Sequence, residues 1–119
     1  MKSGSRILIV DDDDDFRETL ASVLRGHGYL VSEATDGEEA IAALTHTVPD
    51  MAIFDLDMPK LNGLAFSKKV KDAAPDFPVV MVTGHDEQYS SAEILSVGID
   101  VFLQKPVPME KMLEVVQTI

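Results

Sequence analysis

The sequence predicts an α/β fold, built as (βα)5 around a parallel sheet, and three observations carry that prediction. Strand-like and helix-like segments alternate along the chain, the order that parallel sheets with crossover helices require. The joints are short, and no linker, repeat or low-complexity tract interrupts them. Four apolar runs each end on a residue able to handle phosphate or a divalent cation: Arg6 to Val10 on Asp11-Asp12, Met51 to Phe54 on Asp55, Val79 to Val82 on Thr83, and Val101 to Gln104 on Lys105-Pro106. Parallel strands share one carboxyl rim, so these groups converge on a single site.

Arg6 to Val10 is the first strand. The aspartate run after it opens the first helix, where carboxylates suit the positive end of the helix dipole, and Phe16, Leu20, Val23 and Leu24 form its buried face. Gly26 and Gly28 stop it. Tyr29 to Ala34 is the second strand, and Asp36 caps a helix through Ile41 and Leu44 that ends before Pro49. Met51 to Asp55 is the third strand. A loop with Met58-Pro59 and Asn62-Gly63 leads to a helix from Leu64 to Ala74, then Pro78 to Thr83 forms the fourth strand. A weaker helix from Ser90 ends at Gly98, and Val101 to Gln104 is the fifth strand. Pro106 and Pro108 precede a last helix with Met112, Leu113 and Val116 on one face. That helix reaches Ile119 with no glycine, proline or charged cap, so the natural polypeptide is expected to continue, with residues 1–119 a single domain excised from it.

A chain of 119 residues with 45% apolar content suits one compact core. Its apolar runs are too short to span a bilayer, and the start of the chain lacks a secretory pattern, so a soluble cytoplasmic protein without membrane contact is expected. Cysteine is absent, which removes disulfides and thiolate metal sites. With 21 acidic residues against 10 basic ones, the net charge of −11 repels a nucleic-acid backbone, and any DNA contact would belong to another domain.

Taken singly, each rim residue has an ordinary role. Aspartates cap helices, Asp55 suits a turn before Pro59, Thr83-Gly84 suits a strand end, and the Lys105 stem can lie along a sheet. A calcium loop starting at Asp11 fails, because Phe16 stands where glycine is needed and Ser22 where glutamate is needed. Together the residues permit a specific chemistry. Mg²⁺ takes one or two carboxylates plus waters and phosphate oxygens, which Asp11, Asp12 and Asp55 can supply, leaving Asp55 as a nucleophile toward phosphorus. Charge building on the phosphoryl oxygens would be met by Mg²⁺, the Lys105 ammonium and the Thr83 hydroxyl.

At these residues the chain closely resembles the receiver domain of two-component response regulators, through ILIVDD at Ile7 to Asp12, DLDMPKLNG at Asp55 to Gly63, VMVTG at Val80 to Gly84 and GIDVFLQKP at Gly98 to Pro106. The resemblance implies the flavodoxin-like, doubly wound fold with strand order 2-1-3-4-5, an order that flavodoxin shares with chemotaxis receivers. It implies Asp55 as phosphoacceptor, and Asp11 and Asp12 as Mg²⁺ ligands with Asp12 direct and the Asp57 carbonyl completing the set; Mn²⁺ is a substitute. Thr83 would move toward the phosphoryl group, Phe102 would be the aromatic switch that follows it, and Lys105-Pro106 would be cis. Asp57 and His85 would match two variable positions that, in that family, tune the phosphoryl lifetime. Gly84 replaces the alanine often found there, and Asp13 to Asp15 extend the usual acidic pair. His85 as a metal ligand is disfavoured because Mg²⁺ prefers oxygen, and His27 and His46 read as surface residues.

The implied function is a signalling switch in a phosphorelay. Asp55 takes a phosphoryl group from a histidine kinase, a phosphotransfer protein or acetyl phosphate, and the domain catalyses its own phosphorylation and dephosphorylation without being a turnover enzyme. The response would appear on the family's α4-β5-α5 face, formed by the helix from Ser90, the strand Val101 to Gln104 and the last helix. An output domain, a partner or a second copy of the chain would bind there. Two other classes compete with this one. Phe54 to Asp57 resembles the strand-end motif of haloacid-dehalogenase-type phosphatases, but Pro59 departs from that motif and the acidic pair lies in the wrong place. A receiver that only binds partners fits poorly with a complete set of site residues.

Overall fold

The computed structural model describes the backbone of residues 1–55, 57–58, 61–84 and 98–119, and their side chains except at 57–58 and 61–64. Five strands, β1 (Arg6–Val10), β2 (Leu30–Ala34), β3 (Met51–Asp55), β4 (Val79–Thr83) and β5 (Val101–Gln104), form one sheet in the order 2-1-3-4-5 with every pairing parallel. Helices α1 (Asp14–Gly26), α2 (Gly37–His46) and α3 (Gly63–Ala73) connect them, and a C-terminal helix spans Met109–Thr118. Asp57–Met58 and Leu61–Asn62 pair as a separate two-residue antiparallel ladder. The expected helix from Ser90, together with His85 and Pro59, lies outside the described residues.

β1, β3 and β4 are buried almost throughout because helices cover both faces of the sheet. Alternation along each strand divides the core. Ile7, Ile9, Ile53, Val80 and Val82 meet Leu20, Ala21 and Leu24 of α1 and Met112, Val115 and Val116 of the C-terminal helix. Leu8, Val10, Ala52, Phe54, Val79 and Met81 face the other way, toward Ala40 of α2 and Phe66 of α3. Phe54 and Phe66 meet edge to face, with centroids 5.1 Å apart. Each large side chain removed from water in this way contributes about 1.5–3 kcal/mol.

Several boundaries differ from expectation for local reasons. The buried face of α1 is Arg17, Leu20, Ala21 and Leu24, whereas Phe16 and Val23 are only partly buried. That frame is i, i+3, i+4, i+7, and it is hidden in the sequence because a charged residue occupies its first place. α1 runs through Gly26, and the turn falls at Gly28, whose φ of +90° favours a residue without a side chain. β2 begins at Leu30, one residue after Tyr29. In the C-terminal helix Val115 joins Met112 and Val116 in the core, while Leu113 is partly buried.

Candidate functional site

Parallel strands bring Asp11 after β1, Asp55 at the end of β3, Thr83 at the end of β4 and Lys105 after β5 to one rim. Asp11 is 2% exposed, Asp55 7% and Thr83 0%. The Lys105 Nζ lies 2.9 Å from Asp11 Oδ2, 3.4 Å from Asp55 Oδ2 and 4.0 Å from Asp13 Oδ2. Its backbone is held where β4 and β5 end, since the Lys105 N–H donates to the Thr83 carbonyl at 2.7 Å. The Lys105-Pro106 peptide is cis. Burial pulls the Lys105 pKa down, but the hydrogen bond to Asp11 and the charges of Asp11 and Asp55 outweigh it, so the net shift is upward. The group is therefore a cation across the neutral range.

Four of the five aspartates after β1 stand in distinct surroundings. Asp11 is locked: its N–H donates to the Ala34 carbonyl at 3.0 Å, its Oδ1 accepts from the Asp13 N–H at 2.9 Å, and its Oδ2 accepts from Lys105. Asp12 is exposed. Asp13 is the N-cap of α1 and accepts from the Phe16 N–H at 3.2 Å, satisfying one of the amides a helix start leaves without partner. Asp14 pairs with Arg17 at 2.7 Å.

Arg17 is a site neighbour that sequence reasoning missed. Only 6% exposed, it donates from Nη1 to the Asp11 carbonyl at 2.9 Å and from Nε to Glu33 at 3.2 Å, so it ties the aspartate loop to β2. Burial acts to lower its pKa, and its carboxylate partners more than reverse that. The one signal for it was an arginine at a core-facing helical position.

Asp11, Asp12 and Asp55 each present a carboxylate oxygen within 4.8 Å of the others. Three hard oxygen donors beside one ammonium leave an excess of negative charge, and this donor set fits a magnesium-sized cation. Both Asp11 oxygens already accept protein hydrogen bonds, which leaves Asp12 the more available. Asp57 stands in the short ladder, opposite Asn62. Phe102 is partly buried against the cluster containing Phe54 and Phe66. His27 and His46 are exposed. No described helix is long and apolar enough to cross a membrane.

A sequence model described as the response regulator receiver domain matches residues 7–117. Response regulator MprA of Mycobacterium sp. (strain KMS) is 36% identical over 108 residues, which cover 91% of this chain and 47% of that protein. The chain thus spans about half the length of the curated relatives it matches. Chemotaxis response regulator CheY4 of Vibrio cholerae superposes with a TM-score of 0.87 at 30% identity, over 98% of both chains. NtrX from Brucella abortus gives the same TM-score at 29% identity, over 97% of this chain and 26% of that one.

Proposed function

Since the chain belongs to the response regulator receiver domain family, we propose that it is a phosphorylation-activated switch of a phosphorelay in which Asp55 is the phosphoacceptor. The observation that carries this is the position of Lys105, whose ammonium lies between the buried carboxylates of Asp11 and Asp55 at the carboxyl rim. An Asp55 oxygen attacks phosphorus of a phosphohistidine on a histidine kinase or phosphotransfer protein. The P–N bond breaks, an acyl phosphate P–O bond forms, and the imidazole leaves with a proton. Acetyl phosphate serves in the same way, with acetate as the leaving group.

Asp12, Asp11 and Asp55 would hold Mg²⁺, with the Asp57 carbonyl as a further ligand. Bound there, the ion would neutralise charge on the phosphoryl oxygens. Lys105 orients the nucleophile before transfer and pairs with a phosphoryl oxygen after it, and the Thr83 hydroxyl donates to another. The protein is accordingly a phosphoacceptor that promotes its own phosphorylation and dephosphorylation, working in the cytoplasm.

Phosphorylation biases a two-state equilibrium because Thr83 and Lys105 gain charge-assisted contacts in only one state. Lys105 follows β5 directly, so its displacement is felt at Phe102 and on the face shared by β5 and the C-terminal helix, where an output domain, a partner or a second copy would dock. The test is incubation with Mg²⁺ and acetyl phosphate, followed by intact mass, beside an Asp55→Asn control. One acid-labile phosphoryl group that the control lacks is expected. No gain in either chain, with beryllofluoride also leaving the amide spectrum unchanged, would overturn the reading.

A further inference from the structure

Phe16 is shared between the core and the site. Its ring is partly buried against the cluster beneath α1, and the Lys105 Nζ stands 4.7 Å from the ring centroid. At that separation the negative face of an aromatic ring attracts an ammonium. Among the described residues, three carboxylates approach the Nζ at different reaches: Asp11 at 2.9 Å, Asp55 at 3.4 Å and Asp13 at 4.0 Å.

Lysine is a point charge on a flexible four-carbon stem, so its own covalent structure does not choose among these acceptors. A choice matters because Asp13 lies on the solvent side, with its side chain half exposed, whereas Asp55 is buried. The ring is well anchored for this purpose. The Phe16 N–H is bound by the Asp13 cap, which fixes the first turn of α1 from which the ring projects.

We infer that Phe16 is a positioning residue for Lys105, whose ring holds the ammonium beside Asp55 so that the cation is already in place when the phosphoryl group arrives. The inference rests on the phosphoacceptor reading above. Its physical content is the ring's charge distribution, which leucine lacks at similar bulk and tyrosine retains.

The experiment measures the initial rate of phosphorylation from acetyl phosphate at saturating Mg²⁺, by intact mass over hours, for wild type, Phe16→Leu and Phe16→Tyr, with Phe16→Leu repeated in a Lys105→Met background. Mg²⁺ affinity of each variant is read separately from amide shifts. Phe16→Leu is expected to slow phosphorylation by about 3- to 10-fold with unchanged Mg²⁺ affinity. Phe16→Tyr should restore the rate to within about twofold, and Phe16→Leu should add no further loss once Lys105 is gone, since a contact cannot be broken twice. A Phe16→Leu rate equal to wild type, or the same loss persisting without Lys105, would overturn the inference and return Phe16 to a packing role. If Phe16→Leu does not fold, Phe16→Met carries the same comparison. A wild-type chain that takes up no phosphoryl group overturns the phosphoacceptor reading itself, an outcome distinct from a normal wild type beside an unaffected variant.

Discussion

The two ends of the sheet each hold a largely buried lysine, and they treat it differently. At the amino end, Lys71 of α3 has a side chain 10% exposed and, among the described residues, meets one carboxylate, Asp100, at 2.7 Å. The same Asp100 oxygen accepts from the Val79 N–H at 2.8 Å, and the Lys71 Nζ also reaches the Pro75 carbonyl at 3.4 Å. One charge meets one charge, and backbone groups complete the set. At the carboxyl end, Lys105 is 18% exposed and faces Asp11, Asp55 and Asp13, with Asp12 beside them. A largely buried lysine in an ion pair is therefore a poor marker of function by itself. The imbalance is what sets the candidate site apart, because surplus carboxylate charge is what a bound cation would neutralise.

This contrast is most open to attack at Lys105. Lys105→Met should slow phosphorylation from acetyl phosphate by about 10²- to 10³-fold, the loss typical of a preorganised charge-stabilising donor, and intact mass would show it. A rate near wild type would make the two lysines equivalent. Asp100→Ala should do the opposite, costing about 1–2 kcal/mol in urea unfolding through the lost Lys71 and Val79 bonds while leaving phosphorylation intact. A change in phosphorylation rate without loss of stability would place functional weight at the wrong end.

A smaller effect sharpens the charge argument. Added Mg²⁺ at ten times its dissociation constant should stabilise the wild type by about 1.4 kcal/mol, and Asp12→Asn should remove most of that linkage. Thermal melts with and without Mg²⁺ check this, and those without it should show Asp12→Asn no less stable than wild type, since the substitution relieves like-charge repulsion. The smallest effect serves as a control outside both clusters. The Ser67 hydroxyl of α3 is fully buried and has no hydrogen-bond partner among the described residues, so Ser67→Ala should stabilise by about 1 kcal/mol with unchanged phosphorylation. Destabilisation would reveal a bond to that hydroxyl.

Most of the architecture was legible because local signals agreed with one another. All five strands lie within a residue of their expected places, and Asp36 caps α2 as its position suggested, accepting from the Glu39 N–H at 2.9 Å. The convergence of Asp11, Asp55, Thr83 and Lys105 was legible too, since parallel strands put successive strand ends on one rim whatever the loops do. Arg17 was not, because hydrophobic periodicity skips a charged residue even when its neighbours satisfy that charge. Phe16 reads only as core in the sequence for a similar reason, as an aromatic ring gives no sign there of what lies over its other face.

The chain alone therefore determined the class of fold, the strand order through its family resemblance, and the set of polar groups at the rim, because those depend on periodicity and on residues that close each apolar run. Tertiary structure decided which carboxylate oxygens are already occupied, where the ammonium rests among Asp11, Asp13 and Asp55, that Arg17 binds the Asp11 carbonyl, and that the Phe16 ring lies next to the ammonium. Those are distances between residues as far as 94 positions apart in sequence, set to within an ångström by close packing of the whole core, and no local pattern encodes them.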